Sequence, residues 1–328
     1  MSGTTKERVL QALLQVEDEA YVSGAQLAAL CGVSRTAIWK AIQTLEQDGY
    51  TIVSAKTKGY RLAKKTDFVD AAHIAPYLQT KAIGRVIHYE KEVTSTQSVA
   101  SELVKANTPH GTIVIAEAQT AGRGRMERPW ETTAGKGIWM TIVLRPDLPP
   151  HQAPQFTLVA AVAVVNAMKA LYTNFTPVIK WPNDILVNGK KTTGILTEMI
   201  AEADRVNALL VGIGINMNQQ MSDFPAELQT IATSVAIEEG HDVDRAQLVA
   251  IICQYIENYS DVYVKHGFSR LKMLWEEASG TIGKQIRATT LREVLEGTAI
   301  GITDDGVLQL QLASGEVRGI YSADIELT

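Results

Sequence analysis

A chain of 328 residues that is 46% hydrophobic and 20% charged has the make-up of an ordinary globular protein and the length of two or three domains. Its two cysteines, Cys31 and Cys253, lie far apart without a CxxC pair, which argues against a disulfide framework and a structural zinc site. The net charge of −5 is uneven: residues 1–65 carry nine Lys and Arg against six acids, a net of +3, and the remainder carries −8, so a basic end on an acidic body points toward nucleic acid.

The first residues hold no signal-peptide apolar core. Val9, Leu10, Leu13 and Leu14 then recur at helical spacing. Ser23 reads as the N-cap of a short helix to Leu30, Cys31-Gly32-Val33 as a tight turn, and Ser34 as the cap of a longer helix, Arg35 to Asp48. Two helices joined by a short glycine-containing turn make a helix-turn-helix, whose second helix faces the DNA major groove. Its start is Ser34, Arg35 and Thr36, with Lys40 one turn on: hydrogen-bonding groups and cations suited to phosphates and base edges. Tyr50–Ser54 and Gly59–Leu62 read as a hairpin whose tip holds Lys56 and Lys58, a basic wing. The alternative, a small helical domain that binds protein, lacks a reason for that wing.

A polar linker at 63–67 leads to a helix expected over Asp70 to Leu78 and a strand over Arg85 to Glu90. Ser95, Thr96 and Gln97 open an amphipathic helix; N-capping alone explains the hydroxyls, and ligand binding at a helix start is the other reading. Two strands, Gly111–Ala118 and Ile138–Leu144, flank a stretch from Glu117 to Trp130 that carries two glycines and three arginines. Glycine lets backbone approach a ligand, and arginine supplies a fork for carboxylate or phosphate. Ala153 to Tyr172 is an alanine- and valine-rich helix; its apolar run, Phe156 to Val165, spans about ten residues, too few to cross a bilayer. A cytoplasmic protein with no membrane role is expected.

Strands around Asn188-Gly189, a hairpin-turn dipeptide, place Lys180, Asn183, Asp184 and Lys191 at neighbouring strand ends. So much positive charge is costly without an anionic ligand. Neither a Rossmann fingerprint nor a P-loop is present: Asp184 stands where the P-loop's first glycine belongs. Long helices follow at Leu248–His266 and Leu271–Ala278, and from Gly280 a run of short strands suggests a small β-barrel.

Ser95-Thr96-Gln97, Gln119 with Gly122-Arg123-Gly124-Arg125, Lys180-Trp181-Pro182-Asn183-Asp184, Lys191–Leu196 and Gly212–Met217 resemble, in this order, the motifs of biotin–protein ligases. With the helix-turn-helix in front, the chain resembles the bifunctional subgroup, the biotin operon repressors of bacteria. The resemblance implies an α/β (α+β) multidomain fold: a winged helix-turn-helix (1–66), a central mixed-sheet ligase domain (67–278) and a C-terminal SH3-like β-barrel (279–328). It implies ATP-dependent formation of biotinyl-5′-AMP and transfer of biotin to a lysine of the biotin carboxyl carrier protein of acetyl-CoA carboxylase. It also implies dimerisation of the loaded protein and binding to operator DNA.

By the same resemblance, Ser95, Thr96, Gln97, Gln119, Arg123, Gly124, Arg125 and Lys191 would contact biotin. Arg125, Trp130, Asn183 and Asn216 would contact ATP or the adenylate, Arg123, Lys180 and Lys191 would serve catalysis, and Asp184 would hold Mg²⁺. The family's loop continues in some members with a further arginine and glycine; here it reads Met126-Glu127-Arg128-Pro129. A lipoate–protein ligase of the same fold, a non-enzymatic biotin sensor and a ligase with a vestigial DNA domain are the rival readings. The hydroxyls and amides at 95–97 and 119 favour a ureido ring, retained cations argue against sensing alone, and Arg35, Lys40 and the basic wing argue against a vestigial domain.

Overall fold

The structure, a computed structural model, describes residues 4–16, 20–63, 67–202 and 205–327. It divides into two compact units, residues 1–76 and 77–328. The centre of the expected linker, 64–66, lies outside the described residues.

The first unit holds α1 (Thr5–Leu14), α2 (Gly24–Cys31) and α3 (Arg35–Gln47), then the hairpin strands β1 (Ile52–Ala55) and β2 (Gly59–Leu62). Local sequence sets each helix start. Thr4 with Glu7, and Ser23 with Gln26, form capping boxes, and the Ser34 hydroxyl accepts from the Ala37 amide at 3.2 Å. Gly32, at φ +63°, ends α2 in the left-handed conformation that glycine adopts without penalty. Leu10, Leu13, Leu27, Ile38, Ile42 and Leu45 close a shared core. The wing is tied back to the helices, because Val22 pairs with Tyr60 and a Cβ on Gly59 would stand 2.2 Å from the Val22 carbonyl oxygen.

The helix expected over 70–78 is shorter. Alpha-helix α4 spans Ala71–Ile74 and gives way to a 3-10 turn, Ala75–Tyr77, since Pro76 has no amide hydrogen to continue the ladder. Asp70 caps α4 through the amides of Ala72 and His73, and also receives the Tyr50 hydroxyl and His73 Nδ1. Phe68 meets the Tyr50 ring edge-on at 4.9 Å. Residues 68–74 are therefore packed on the helix-turn-helix unit. Burial raises the Asp70 pKa, but the bonds and charge of His73 and the Tyr50 hydroxyl outweigh it, so its carboxyl sits below the usual range. A depressed folded pKa contributes stability that is present above the unfolded value, near ~3.9, and is lost as pH falls through the folded value. Asp70→Asn is expected to lower the stability of this unit at neutral pH and to flatten its acid dependence, as measured by unfolding monitored through the unit's own signal.

The second unit is built on a seven-stranded sheet ordered β3-β4-β5-β9-β8-β7-β6, with β3 (Ile87–Val93) parallel to β4 (Thr112–Gln119) and every other neighbour antiparallel. The remaining strands are β5 (Gly137–Leu144), β6 (Val178–Lys180), β7 (Asp184–Val187), β8 (Lys190–Glu202) and β9 (Arg205–Asn216). On one face α5 (Thr96–Lys105) packs through Ala100 and Leu103 on Val114, Val143 and Leu210. On the other lies α6 (Gln155–Leu171), with Thr157 bonded to Thr197 of β8. With the turn before it, α6 is long and apolar enough to cross a membrane, yet Phe156 and Val159 to Val165 are buried inside the unit, so it is read as a core helix. Helices α7 (Val235–Glu239), α8 (Arg245–His266) and α9 (Ser269–Glu277) follow, α8 and α9 both packing on α6. The chain ends in a five-stranded antiparallel sheet ordered β13-β12-β11-β10-β14, from β10 (Gln285–Thr289), β11 (Val294–Ile302), β12 (Leu308–Leu312) and β13 (Val317–Ile320) to β14 (Asp324–Leu327).

Candidate functional site

The α5 face of the sheet changes character along β9. Side chains there alternate with a period of two, so after Ala208 and Leu210 the same face presents Gly212, Gly214 and Asn216. Gly194 of β8 lies opposite Gly214. These glycines make a floor on which other groups lie flat. A Cβ on Gly214 would stand 2.7 Å, and one on Gly194 2.8 Å, from the Trp130 ring. An alanine at Gly214 would therefore have to lift Trp130 off the sheet.

The start of α5 and the end of β4 bring four of the predicted residues together. Thr96 donates through its amide (2.8 Å) and hydroxyl (3.2 Å) to Gln119 Oε1, and Thr141 donates to the Thr96 hydroxyl at 2.9 Å. Ser95 holds the N-cap position but makes no cap bond with its side chain, so capping does not explain that hydroxyl. Gln97 Nε2 donates to the carbonyls of Leu196 (3.2 Å) and Leu210 (3.4 Å), which fixes the amide's orientation and leaves a buried Oε1 with no hydrogen-bond partner. All three residues, 95 to 97, are under 5% exposed.

The loop between β4 and β5 is a small hairpin. Gly124 donates its amide to the Arg128 carbonyl (2.8 Å), and Trp130 donates to that of Gly122 (2.9 Å). Its tip, Met126 and Glu127, has φ of +56° at both residues, a strained conformation for side chains other than glycine. Each cation in the site has an internal partner. Arg123 donates from Nη2 to both carboxylate oxygens of Glu198, at 3.0 and 3.2 Å. Arg125 donates to Asn183 Oδ1 (3.1 Å) and the Ser322 hydroxyl (2.9 Å), and Arg128 pairs with Asp324. Lys191 Nζ lies 2.7 Å from Asp184 Oδ1, an ion pair without hydrogen-bond alignment, and 5.2 Å over the Trp130 ring. Burial lowers the proton affinity of Arg125, and the carboxylates of Asp184 and Asp324 oppose that change. Paired cations keep the loop folded, and an anionic ligand can exchange for their partners.

Gly124, Arg125, Trp130, Asn183, Asp184, Lys191 and Asn216 all line one hollow of about 310 Å³, closed on its far side by Phe224, Leu228 and Ile231. A larger cleft of about 1030 Å³ shares Arg125 and runs between β8 and the C-terminal sheet, past Trp181, Thr197 and Tyr321. Lys180 was expected among the crowded cations, but it lines neither space. Asn216 has both ends of its amide engaged, with Thr233 and Gln219, so it also braces the hollow's wall. Sequence reasoning missed Glu198, Thr141 and the apolar wall at 224–231. Glu198 carried no local signal, since it meets Arg123 only through the register of β8.

A buried ion pair secures both feet of the loop. Arg245, 1% exposed in the first turn of α8, donates Nη1 to Glu117 (2.8 Å), two residues before Gln119, and to the Gly137 carbonyl (2.9 Å) at the start of β5. In the first unit, Arg35, Thr36 and Lys40 are exposed on α3, and Lys56 and Lys58 are exposed at the hairpin turn. Ser34 is exposed too, with its hydroxyl oxygen engaged as a cap.

Residues 89–218 match the Biotin/lipoate A/B protein ligase family, 6–61 match an HTH domain, and 281–328 match the Biotin protein ligase C terminal domain. The chain is 46% identical over 327 residues to the bifunctional ligase/repressor BirA of Bacillus spizizenii, covering 100% of both chains. It is 27% identical to the protein of that name from Escherichia coli, over 93% of this chain and 92% of that one. Among solved structures, a biotin protein ligase from Aquifex aeolicus in complex with biotin and ATP matches 74% of this chain and 99% of its own, at 27% identity and a TM-score of 0.64. A relative so similar across the full length decides the matter: the chain belongs to the family of bifunctional biotin ligase/repressors.

Proposed function

We propose that the chain is an ATP-dependent biotin–protein ligase that also represses transcription when loaded with biotinyl-5′-AMP. The observation that carries this reading is one hollow, lined by Arg125, Trp130, Asn183 and Lys191, beside a buried polar cluster at Ser95, Thr96, Gln97 and Gln119, in a chain with a helix-turn-helix unit.

In the first step a biotin carboxylate oxygen attacks the α-phosphorus of ATP, the bond to the β-phosphate breaks, and pyrophosphate leaves. Arg123, Arg125 and Lys191 bring the two anions together by exchanging Glu198, Asn183 and Asp184 for ligand oxygens. Gln97 Oε1, buried and unpartnered, accepts from a ureido N–H, which favours biotin over lipoate. Trp130 covers the adenine against the wall formed by Phe224 and Leu228, with Asn216 bracing the nucleotide side. Asp184 would hold a Mg²⁺ on the ATP phosphates: its buried Oδ1 faces the Lys191 ammonium without an aligned hydrogen bond, and Mg²⁺ needs one or two carboxylates once phosphates supply the rest. That ion would supply charge neutralisation to the leaving pyrophosphate. Lys180, which lines neither space, adds positive charge beside Asp184 rather than touching the reactants.

In the second step the ε-amine of an acceptor lysine attacks the carbonyl, AMP leaves, and the amine loses its proton to give an amide. The acceptor, the carboxyl carrier protein of acetyl-CoA carboxylase, approaches through the larger cleft. The C-terminal strands are read as an SH3-like domain that walls this cleft, and the chain as cytoplasmic. The loaded protein dimerises, and paired α3 helices with Arg35, Thr36, Lys40 and the wing lysines meet two operator half-sites.

Incubation with biotin, ATP and apo acceptor tests the enzyme reading: an ATP-dependent mass gain of one biotinyl group on a single acceptor lysine is expected, and no gain refutes it. Equal operator affinity with and without biotin plus ATP refutes the corepressor reading.

A further inference from the structure

Helix α3 turns a broad face to solvent, which also takes in Arg35, Thr44, Glu46 and Gln47. Thr36, Trp39, Lys40 and Gln43, at i, i+3, i+4 and i+7, are exposed, while Ile38, Ala41, Ile42 and Leu45 are buried. Among these exposed residues Trp39 is the anomaly, an indole with 50% of its surface open on a polar face whose cations, Arg35 and Lys40, stand in the first half of the helix. It has no place in the unit's core, whose α3 contribution comes from the opposite side. Arg35 and Lys40 beside it call for an anionic occupant. An indole calls for an apolar group at the same depth.

The major groove of duplex DNA offers both together. Phosphates line its rims, and thymine is the base that presents a methyl group on its floor. The second helix of a helix-turn-helix is the element that enters this groove. We propose that Trp39 reads sequence, its indole face lying against the C5-methyl of a thymine in each half-site. This deepens the repressor reading and rests on it. Arg35 and Lys40 then hold the flanking phosphates, and Thr36 and Gln43 meet base edges.

The test uses the full-length protein loaded with biotin and ATP, and a duplex that it selects from a randomised pool. Trp39→Ala keeps the fold, checked by an unchanged unfolding temperature, because the side chain is exposed and outside the core. It is expected to weaken binding to the selected duplex by about tenfold or more, and binding to random duplex by less than about twofold. Deoxyuridine, which lacks the methyl, is then placed at each thymine in turn. One position per half-site should reproduce the loss with the unaltered protein, and the same substitution should cost the Trp39→Ala protein nothing further. Trp39→Phe should recover part of the affinity.

An equal loss on selected and random duplexes would make Trp39 a backbone contact and overturn the proposal. So would full deoxyuridine sensitivity persisting in Trp39→Ala, or no loss at all. If the unaltered protein selects no preferred duplex, the repressor reading itself fails, an outcome distinct from the failure of Trp39 alone.

Discussion

Lys191→Ala should cut biotin-dependent pyrophosphate release by about 10²–10³-fold, the usual cost of removing a donor aimed at developing charge. The Lys191 ammonium sits between the Asp184 carboxylate at 2.7 Å and the face of Trp130 at 5.2 Å, on the wall of the hollow assigned to the nucleotide. Removing it takes away a cation and also leaves Asp184 as an unpaired anion facing the ATP phosphates. The second effect separates charge from shape. Lys191→Met, similar in length but neutral, should be nearly as inactive as Lys191→Ala, whereas Lys191→Arg should retain part of the rate. Steady-state release assays over biotin and ATP series provide the check. Rates within tenfold of the unaltered protein for both neutral variants would remove Lys191 from the chemistry.

Arg245→Met should destabilise the second unit by about 3–5 kcal/mol, the range for removing one partner of a buried ion pair. Arg245 occupies the first turn of α8, where the helix dipole disfavours a cation, so its place there depends on Glu117 and the Gly137 carbonyl. Glu117, 7% exposed, would lose the Arg245 guanidinium that faces its carboxylate. The urea midpoint should fall, and the paired change Glu117→Met with Arg245→Met should recover most of the loss, since no charge then remains buried. Because the pair joins both feet of the loop, the single variant should also release the adenylate faster. A midpoint shift worth less than about 1 kcal/mol would mean that the pair contributes only packing.

The helix-turn-helix was legible because its signals are local. Ser23 with Gln26 and the cap at Ser34 mark helix starts, and Ile38, Ile42 and Leu45 mark the inward face. The Asn188-Gly189 turn was legible for the same reason, and both residues take the positive φ that the dipeptide permits. Long-range terms were not legible. The packing of residues 68–74 on Tyr50 depends on tertiary contact, as does the pairing of Arg123 with a carboxylate 75 residues away. In the candidate site, residue type identified the cations, but only strand register decides which of them share a space. Lys191 and Asp184 face each other in the hollow, while Lys180, next to Asp184 in the ladder, lines neither space. Trp39 was legible in principle, since i, i+3, i+4, i+7 spacing from Thr36 sets it on the exposed face, but the cations around it drew the reading.

The loop that opens on Gln119 is proposed to serve both activities. It is pinned by Glu198, Asn183 and Asp324 and is expected to turn its arginines to the ligand. A mixed anhydride would hydrolyse in open water, so the enzyme and repressor roles both require that the closed loop retain it. Native mass spectrometry of the full-length protein mixed with biotin, ATP and Mg²⁺, without acceptor, tests this directly. One biotinyl-5′-AMP should stay bound per chain through removal of free ligand. A spectrum showing only free protein, or biotin and ATP bound as separate unreacted ligands, would contradict it.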